Sequence, residues 1–204
     1  VTGAGAWEDA FYDAHLSVEV GGGRTVSLEV HRRMSHLHQI EADFREVWRR
    51  AEHVRGMEWR MCAEDCLLVC GYHLSRSLPP FRLMWLIDIL GIVEELEPDW
   101  EVTVGRARRW GVATALWLAL TRCEETLGGR FVPVEVVREL EPGPVRRSYL
   151  DAVIPRVLIE NPFKGLSSRE VQALVLFPLM DRWGQRLRFA TNYGKVRLLD
   201  ALGR

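Results

Sequence analysis

The sequence predicts an α+β fold that is mostly α: a short antiparallel β-hairpin followed by a multi-helix region. Three observations lead there. Apolar and polar residues alternate strictly over residues 15–20 and 25–31 on either side of three glycines. From Ile40 onward the apolar residues recur at helical spacing, and glycine and proline cut the pattern into helix-length pieces. With 204 residues, 48% of them hydrophobic, the chain can bury a real core without disulfides or metal.

The hairpin comes first. Leu16, Val18 and Val20 share one side of His15–Val20, and Val26, Leu28 and Val30 share one side of Thr25–His31, so both segments read as half-buried strands. Gly21-Gly22-Gly23 supplies the turn. Parity limits the register to two choices, because apolar residues must oppose apolar ones: Val20 faces Arg24, with His15 facing Glu29, or Val20 faces Val26, with His15 facing His31. Either choice gathers Glu19, Glu29, His15 and His31 on one polar face.

Helices follow. Ile40–Ala51 places Ile40, Phe44, Val47, Trp48 and Ala51 on one stripe, with acids early and arginines late as the helix dipole prefers. A second helix runs from Ala63 to about Leu78, where Pro79-Pro80 stops it. Phe81 to about Leu96 is apolar nearly all round and is expected to be the central, buried helix. Asp99 opens a helix that ends at Trp110 before Gly111, and Val112–Leu127 is an apolar helix closed by Gly128-Gly129. Prolines break residues 130–166 into short helices and loops. Ser167-Ser-Arg-Glu170 has the pattern of a capping box for a last helical region, which Pro178 should kink or divide.

Charge narrows the function classes. Lys+Arg is 27 and Asp+Glu is 28, a formal net charge of −1, so the chain as a whole has no strong electrostatic attraction for nucleic acid or anionic membrane. The distribution is uneven: residues 1–104 hold 10 basic against 18 acidic side chains, and residues 145–204 hold 11 against 5. Only Lys164 and Lys195 are lysines. Guanidinium groups suit phosphate, although a genome rich in G and C explains the bias without any ligand. The longest uncharged apolar run, Gly111–Leu120, is well short of the ~18 to 20 residues that span a bilayer. Cysteines at 62, 66 and 70, outside any C-x-x-C pair, suit reduced thiols and a cytoplasmic protein. The chain begins at Val1 rather than Met, which suggests a preceding segment.

Several constellations could carry chemistry. Cys62, Cys66, Cys70 and His73 fall on one helical stripe, but a single helix is a poor zinc cage and Leu67, Leu68 and Leu74 mark it as core-facing. His31, His36 and His38 follow the second strand in a segment that reads equally well as a solvated loop. Glu29 changes the weighing for His31, since residues i and i+2 of a strand project together and a carboxylate is the proper hard ligand for magnesium. Arg106-Ala-Arg-Arg109 reads as the wet face of a helix. No phosphate-binding glycine loop or zinc-protease or serine-hydrolase signature occurs.

The order of motifs is more informative than any one. Ser27-Leu-Glu-Val-His31, Phe44-Arg-Glu-Val-Trp-Arg-Arg-Ala51, Ala63-Glu-Asp-Cys-Leu-Leu-Val-Cys-Gly-Tyr-His-Leu74, Arg82-Leu-Met-Trp-Leu-Ile-Asp88, Asp99-Trp-Glu101 and Arg106-Ala-Arg-Arg-Trp-Gly111 follow one another. The set resembles the poorly characterised bacterial nucleotidyltransferase family of the DNA polymerase β-like superfamily, from about His15 to Gly128. The resemblance implies that residues 1–38 are the C-terminal remnant of a catalytic sheet and that the hairpin is its edge. It also implies a helical substrate-binding region after the sheet, so residues 39–204 are expected to form a helical domain, with family-like helices over 39–129 and, from the charge distribution, a basic helical region over 130–204.

In that superfamily a carboxylate pair after a Gly-Ser turn and a third acid on a neighbouring strand hold two magnesium ions. Glu29 matches the third acid, a catalytic metal ligand, and His31 matches the histidine after it, which touches a metal ligand or a phosphate of the nucleotide. The implied partners are a nucleoside triphosphate and an acceptor that is a small molecule, an RNA or a protein. The sequence departs from the family at Arg32, where an aromatic is usual, and at Cys62, where a capping Ser is common. It also contains no Gly-Ser turn followed by Asp-x-Asp, so those acids are expected upstream of Val1 and this segment is not expected to act alone. The competing expectation is a non-catalytic helical interaction or regulatory module derived from the family.

Overall fold

The computed structural model describes residues 13–31, 40–56, 58–76, 83–154 and 168–201. Strands β1 (Asp13–Val20) and β2 (Arg24–His31) form the expected antiparallel hairpin. Its register is the first of the two allowed by parity: Val20 opposes Arg24, Val18 opposes Val26 and His15 opposes Glu29. Gly22 and Gly23 turn the chain with φ of 85° and 72°, values that an L side chain resists. Leu16, Val18, Val20 and Val26 are exposed rather than half-buried. Alternation shows that one face is apolar but not which element covers it.

Helix α1 (Phe44–Arg50) is capped by Asp43, whose carboxylate accepts the Arg45 amide at 2.8 Å. Its apolar stripe is narrower than expected: Ile40, before the helix, and Val47 are buried, but Phe44 and Trp48 are exposed. A second hairpin, β3 (Glu52–Arg55) with β4 (Glu58–Arg60), follows where no strand was expected. It is held by ion pairs Arg60–Glu52 (2.7 Å) and Arg55–Glu58 (2.8 Å), and Trp59 lies 6.1 Å from Trp48 between ring centroids. Strands of four and three residues are too short for alternation to register.

The remaining elements are helical: α2 (Ala63–Arg76), α3 (Leu83–Leu96), α4 (Trp100–Trp110), α5 (Ala113–Leu127), α6 (Val134–Leu140), α7 (Pro144–Val153), α8 (Ser168–Leu179) and α9 (Trp183–Ala201). The Pro79-Pro80 stop and the capping side chains near Ser167 lie outside the described residues.

The central helix is α5, not α3. Leu116, Trp117, Leu118, Ala119, Leu120 and Cys123 are all buried, and α2, α3, α4 and α6 pack around them. Each fully buried leucine contributes about 2 kcal/mol of transfer free energy. Helix α3 buries only Leu86, Ile89, Ile92 and Val93 and leaves Leu83, Met84 and Ile87 exposed. Close approach of α2 to α5 requires Gly71, where a Cβ would meet Leu116 Cδ1 at 2.9 Å. The Ser75 hydroxyl sits between the Gly71 and Ala115 carbonyls, at 2.8 and 2.7 Å.

The corner between α8 and α9 docks on the corner between α4 and α5. Pro178 lies inside α8, one residue before the helix ends, and the last helical region divides after it, over residues 180–182. Helix α5 has Val112 at its N-cap and no capping side chain of its own. Asp181 supplies the missing acceptor from outside, taking the Thr114 amide at 3.2 Å and the Thr114 hydroxyl at 2.5 Å. Gln185 Nε2 donates to the Trp110 carbonyl at 2.9 Å, directly over Gly111, whose φ is 69°. No helix among the described residues is long and apolar enough to cross a membrane.

Candidate functional site

The hairpin register fixes where the two sequence-predicted residues stand. Glu29 opposes His15 and His31 opposes Asp13, in the last pairs of the ladder, at the end remote from the glycine turn. Positions 13, 15, 29 and 31 have the same parity in this register, so two acids and two histidines occupy two cross-strand pairs on one face. The side chains of residues 13–15 and 28–31 lie outside the described residues, and so do His36 and His38 entirely.

A second cluster joins three of the quoted motifs. Asp65, fully buried at the start of α2, accepts from Arg106 Nη1 of α4 at 2.6 Å and from Arg50 Nε of α1 at 3.0 Å. Arg50 Nη2 lies 2.9 Å from the same Asp65 Oδ2, and Glu64 Oε2 is 3.6 Å from Arg106 Nη1. Two guanidinium groups thus meet two carboxylates, with Asp65 and Arg106 buried and Arg50 and Glu64 partly exposed. Burial disfavours the charge on Arg106, but Cys62 and Asp65 more than restore it and raise its pKa. Glu64 loses solvation too, yet hydrogen bonds from Cys62 and the Asp99 amide, with Arg106 nearby, hold its pKa below the ordinary value.

This corrects the reading of Arg106-Ala-Arg-Arg109. Arg106 is buried on the α4 face that also carries Thr103, Ala107 and Trp110, while Arg108 and Arg109 are exposed. The signal was present in the spacing, since positions 103, 106, 107 and 110 form one helical face. Its cause was not legible, because the partner Asp65 lies 41 residues away.

Helix α2 turns Leu67, Leu68 and Leu74 to the core as expected, and the cysteine stripe runs along its flank, with Cys62 buried, Cys66 and Cys70 partly buried and His73 exposed. Cys62 stands where α2 begins: its Sγ accepts from Arg106 Nη1 at 3.3 Å, and it hydrogen bonds the Asp65 amide, a thiol in the place of a capping hydroxyl. Burial raises the Cys62 pKa and keeps it neutral. Cys66 and Cys70 are partly exposed, and a hydrogen bond from the Cys70 thiol pulls Cys66 down to about 7. His73 packs edge-on against Trp85, with centroids 4.8 Å apart. No group of three or more His, Cys, Asp or Glu that could hold a metal ion occurs among the described residues.

Between α4 and α6 lies a cleft of about 830 Å³, with Trp100, Gly105 and Arg109 on one wall and Pro133, Val136 and Glu139 on the other. Arg108 bridges the walls, donating to the Glu139 carbonyl at 2.9 Å and to its carboxylate at 3.3 Å. Arg109 has no ion-pair partner among the described residues. Glu101, Glu135 and Glu139 line the cleft together with Arg108 and Arg109. The cleft therefore suits a polar ligand held by hydrogen bonds and does not concentrate a polyphosphate by charge alone. The sequence reading did not foresee it, since α6 joins α4 only in the tertiary structure.

The model of the family described as Uncharacterised nucleotidyltransferase matches residues 2–128. That span takes in the first hairpin, Arg50, Asp65, Arg106 and the α4 wall of the cleft. No match is found among the curated proteins or the solved structures.

Proposed function

Because the chain belongs to the uncharacterised nucleotidyltransferase family, we propose that it forms part of a magnesium-dependent enzyme moving a nucleoside monophosphate from a nucleoside triphosphate to an acceptor. The acceptor presents a hydroxyl or phosphate oxygen and is a small molecule, an RNA or a protein. The observation that carries this reading is the hairpin register, in which Glu29 opposes His15 and His31 opposes Asp13, two pairs on one face separated by the Ala14–Val30 pair, inside the matched span. Glu29 is the metal ligand in this reading and His31 the contact to phosphate.

In the reaction the acceptor oxygen forms a bond to the α-phosphorus, and the bond from that phosphorus to the oxygen bridging to the β-phosphate breaks. Pyrophosphate leaves with the bond pair and the acceptor gives up its proton. Magnesium, when bound, supplies positive charge to the phosphate oxygens as pyrophosphate departs. A single hard carboxylate does not hold such an ion. The sequence holds no Gly-Ser turn followed by Asp-x-Asp, and the remaining carboxylates are proposed to come from a segment preceding Val1. The helical region shapes the acceptor side, where the cleft between α4 and α6 offers hydrogen-bonding walls beside the family's own helix α4.

The test is transfer of label. The complete natural protein, incubated with magnesium and an α-labelled nucleoside triphosphate in a cell extract depleted of small nucleotides, should yield labelled acceptor and stoichiometric pyrophosphate. Release of label only as free nucleotide would oppose the reading.

A further inference from the structure

We propose that the groove between α7, α8 and α9 binds a small amphiphilic carboxylate, an apolar chain or ring bearing one negative charge. The groove measures about 590 Å³ and lies outside the family-matched residues, so the inference is independent of nucleotidyl transfer. Val145, Tyr149, Leu174, Phe177 and Pro178 make most of its lining apolar, and Arg146 and Arg186 supply the only charges on it among the described residues. A volume of this size with few convergent polar groups is typical of sites for small organic ligands.

The two arginines are not equivalent. Arg146 is already neutralised: its Nη1 lies 2.8 Å from Asp181 and 3.0 Å from the Thr114 hydroxyl. Arg186 has no carboxylate within ion-pair distance among the described residues. Its Nε donates to the Met180 carbonyl at 3.0 Å, and its guanidinium lies 5.6 Å from the Phe177 ring centroid and 5.0 Å from that of Trp183. Burial, then repulsion from Arg146, lowers the Arg186 pKa, and Asp181 offsets this only in part. The rings fix the guanidinium in place without supplying a counter-charge.

Among the described residues the groove thus carries one guanidinium without a paired carboxylate beside an apolar lining. A monoanion with an apolar body satisfies both features. Among monoanions a carboxylate matches the planar fork of a guanidinium, which can donate two parallel hydrogen bonds to it. A cationic or neutral occupant would leave Arg186 without a counter-charge.

The probe is octanoate, titrated into the protein by calorimetry with Trp183 fluorescence as a second signal. Saturable one-to-one binding is expected, with octanol and acetate each about tenfold weaker or more, because each lacks one of the two features. Arg186→Met should weaken octanoate by about tenfold or more. Val145→Glu, at the most exposed apolar position of the rim, should weaken it severalfold by repulsion without altering the unfolding midpoint, which separates a lost site from a lost fold. Absence of saturable binding, equal binding of octanol and octanoate, or unchanged affinity in Arg186→Met would overturn the proposal. Octyl phosphate binding more than tenfold tighter than octanoate would overturn the carboxylate assignment.

Discussion

Asp65 Oδ1 lies 2.6 Å from Arg106 Nη1, with the aspartate side chain fully buried and the arginine nearly so. Arg50 of α1 closes the far side of the carboxylate, its Nη2 2.9 Å from Oδ2. Three segments distant in sequence are tied at one point. A buried pair of this kind need not be more stabilising than apolar packing, but breaking it from one side is costly.

Arg106→Met should therefore cost about 3 kcal/mol or more, since it leaves Asp65 paired with Arg50 alone. Urea denaturation of the purified variant reads this directly. A loss below about 1 kcal/mol would mean that solvent reaches the carboxylate.

The Glu64 carboxyl titrates lower in the folded chain than in the unfolded one. A depressed carboxylate contributes stability that is fully present above the unfolded pKa, about 4.3, and is lost as the pH falls through the lower folded value. The urea midpoint should accordingly decline below about pH 4.5, and Glu64→Gln should make that decline shallower. Superimposable midpoint-against-pH curves for the two proteins would contradict the assignment.

Gly111 combines a left-handed φ of 69° with a Cβ direction that runs into Gln185, the nearest atom at 2.3 Å. Gly111→Ala should lose about 3 kcal/mol, from backbone strain and overpacking together. Adding Gln185→Ala should cost less than the sum of the single changes, because it removes the overlap. Strict additivity in chemical denaturation would show that the corner between α8 and α9 does not rest on Gly111.

Among the cysteines, Cys66 should be alkylated by iodoacetamide first, with its rate half-maximal near pH 7, where the Cys70 hydrogen bond places it. Cys123, pushed up to about 12 by burial, should resist until the protein unfolds. Cys70→Ala should shift the Cys66 profile upward in pH. Mass spectrometry of the labelled peptides distinguishes the sites, and equal rates at Cys66 and Cys123 would contradict the geometry.

How much of this was legible follows the range of the interactions. Asp99 capping α4 and Gly111 ending it are local, and both could be placed from neighbouring residues alone. The hairpin register was limited to two choices by parity, and the structure selects the one in which His15 faces Glu29. The centrality of α5 over α3 was not legible, because both are apolar and only the packing of α2, α4 and α6 decides between them. The same holds for Arg106, whose burial depends on Asp65 and Arg50, and for the groove at Arg186, which needs three helices to exist. The chemistry proposed at Glu29 rests on motif order rather than on shape.

The most direct test of the central claim is pyrophosphate release by the complete natural protein with magnesium and nucleoside triphosphate, comparing the wild type with Glu29→Gln. The account predicts that the substitution lowers the rate by about a hundredfold or more, consistent with loss of a charge-bearing metal ligand, while the urea midpoint is unchanged. Release at the wild-type rate from a folded Glu29→Gln protein would contradict it.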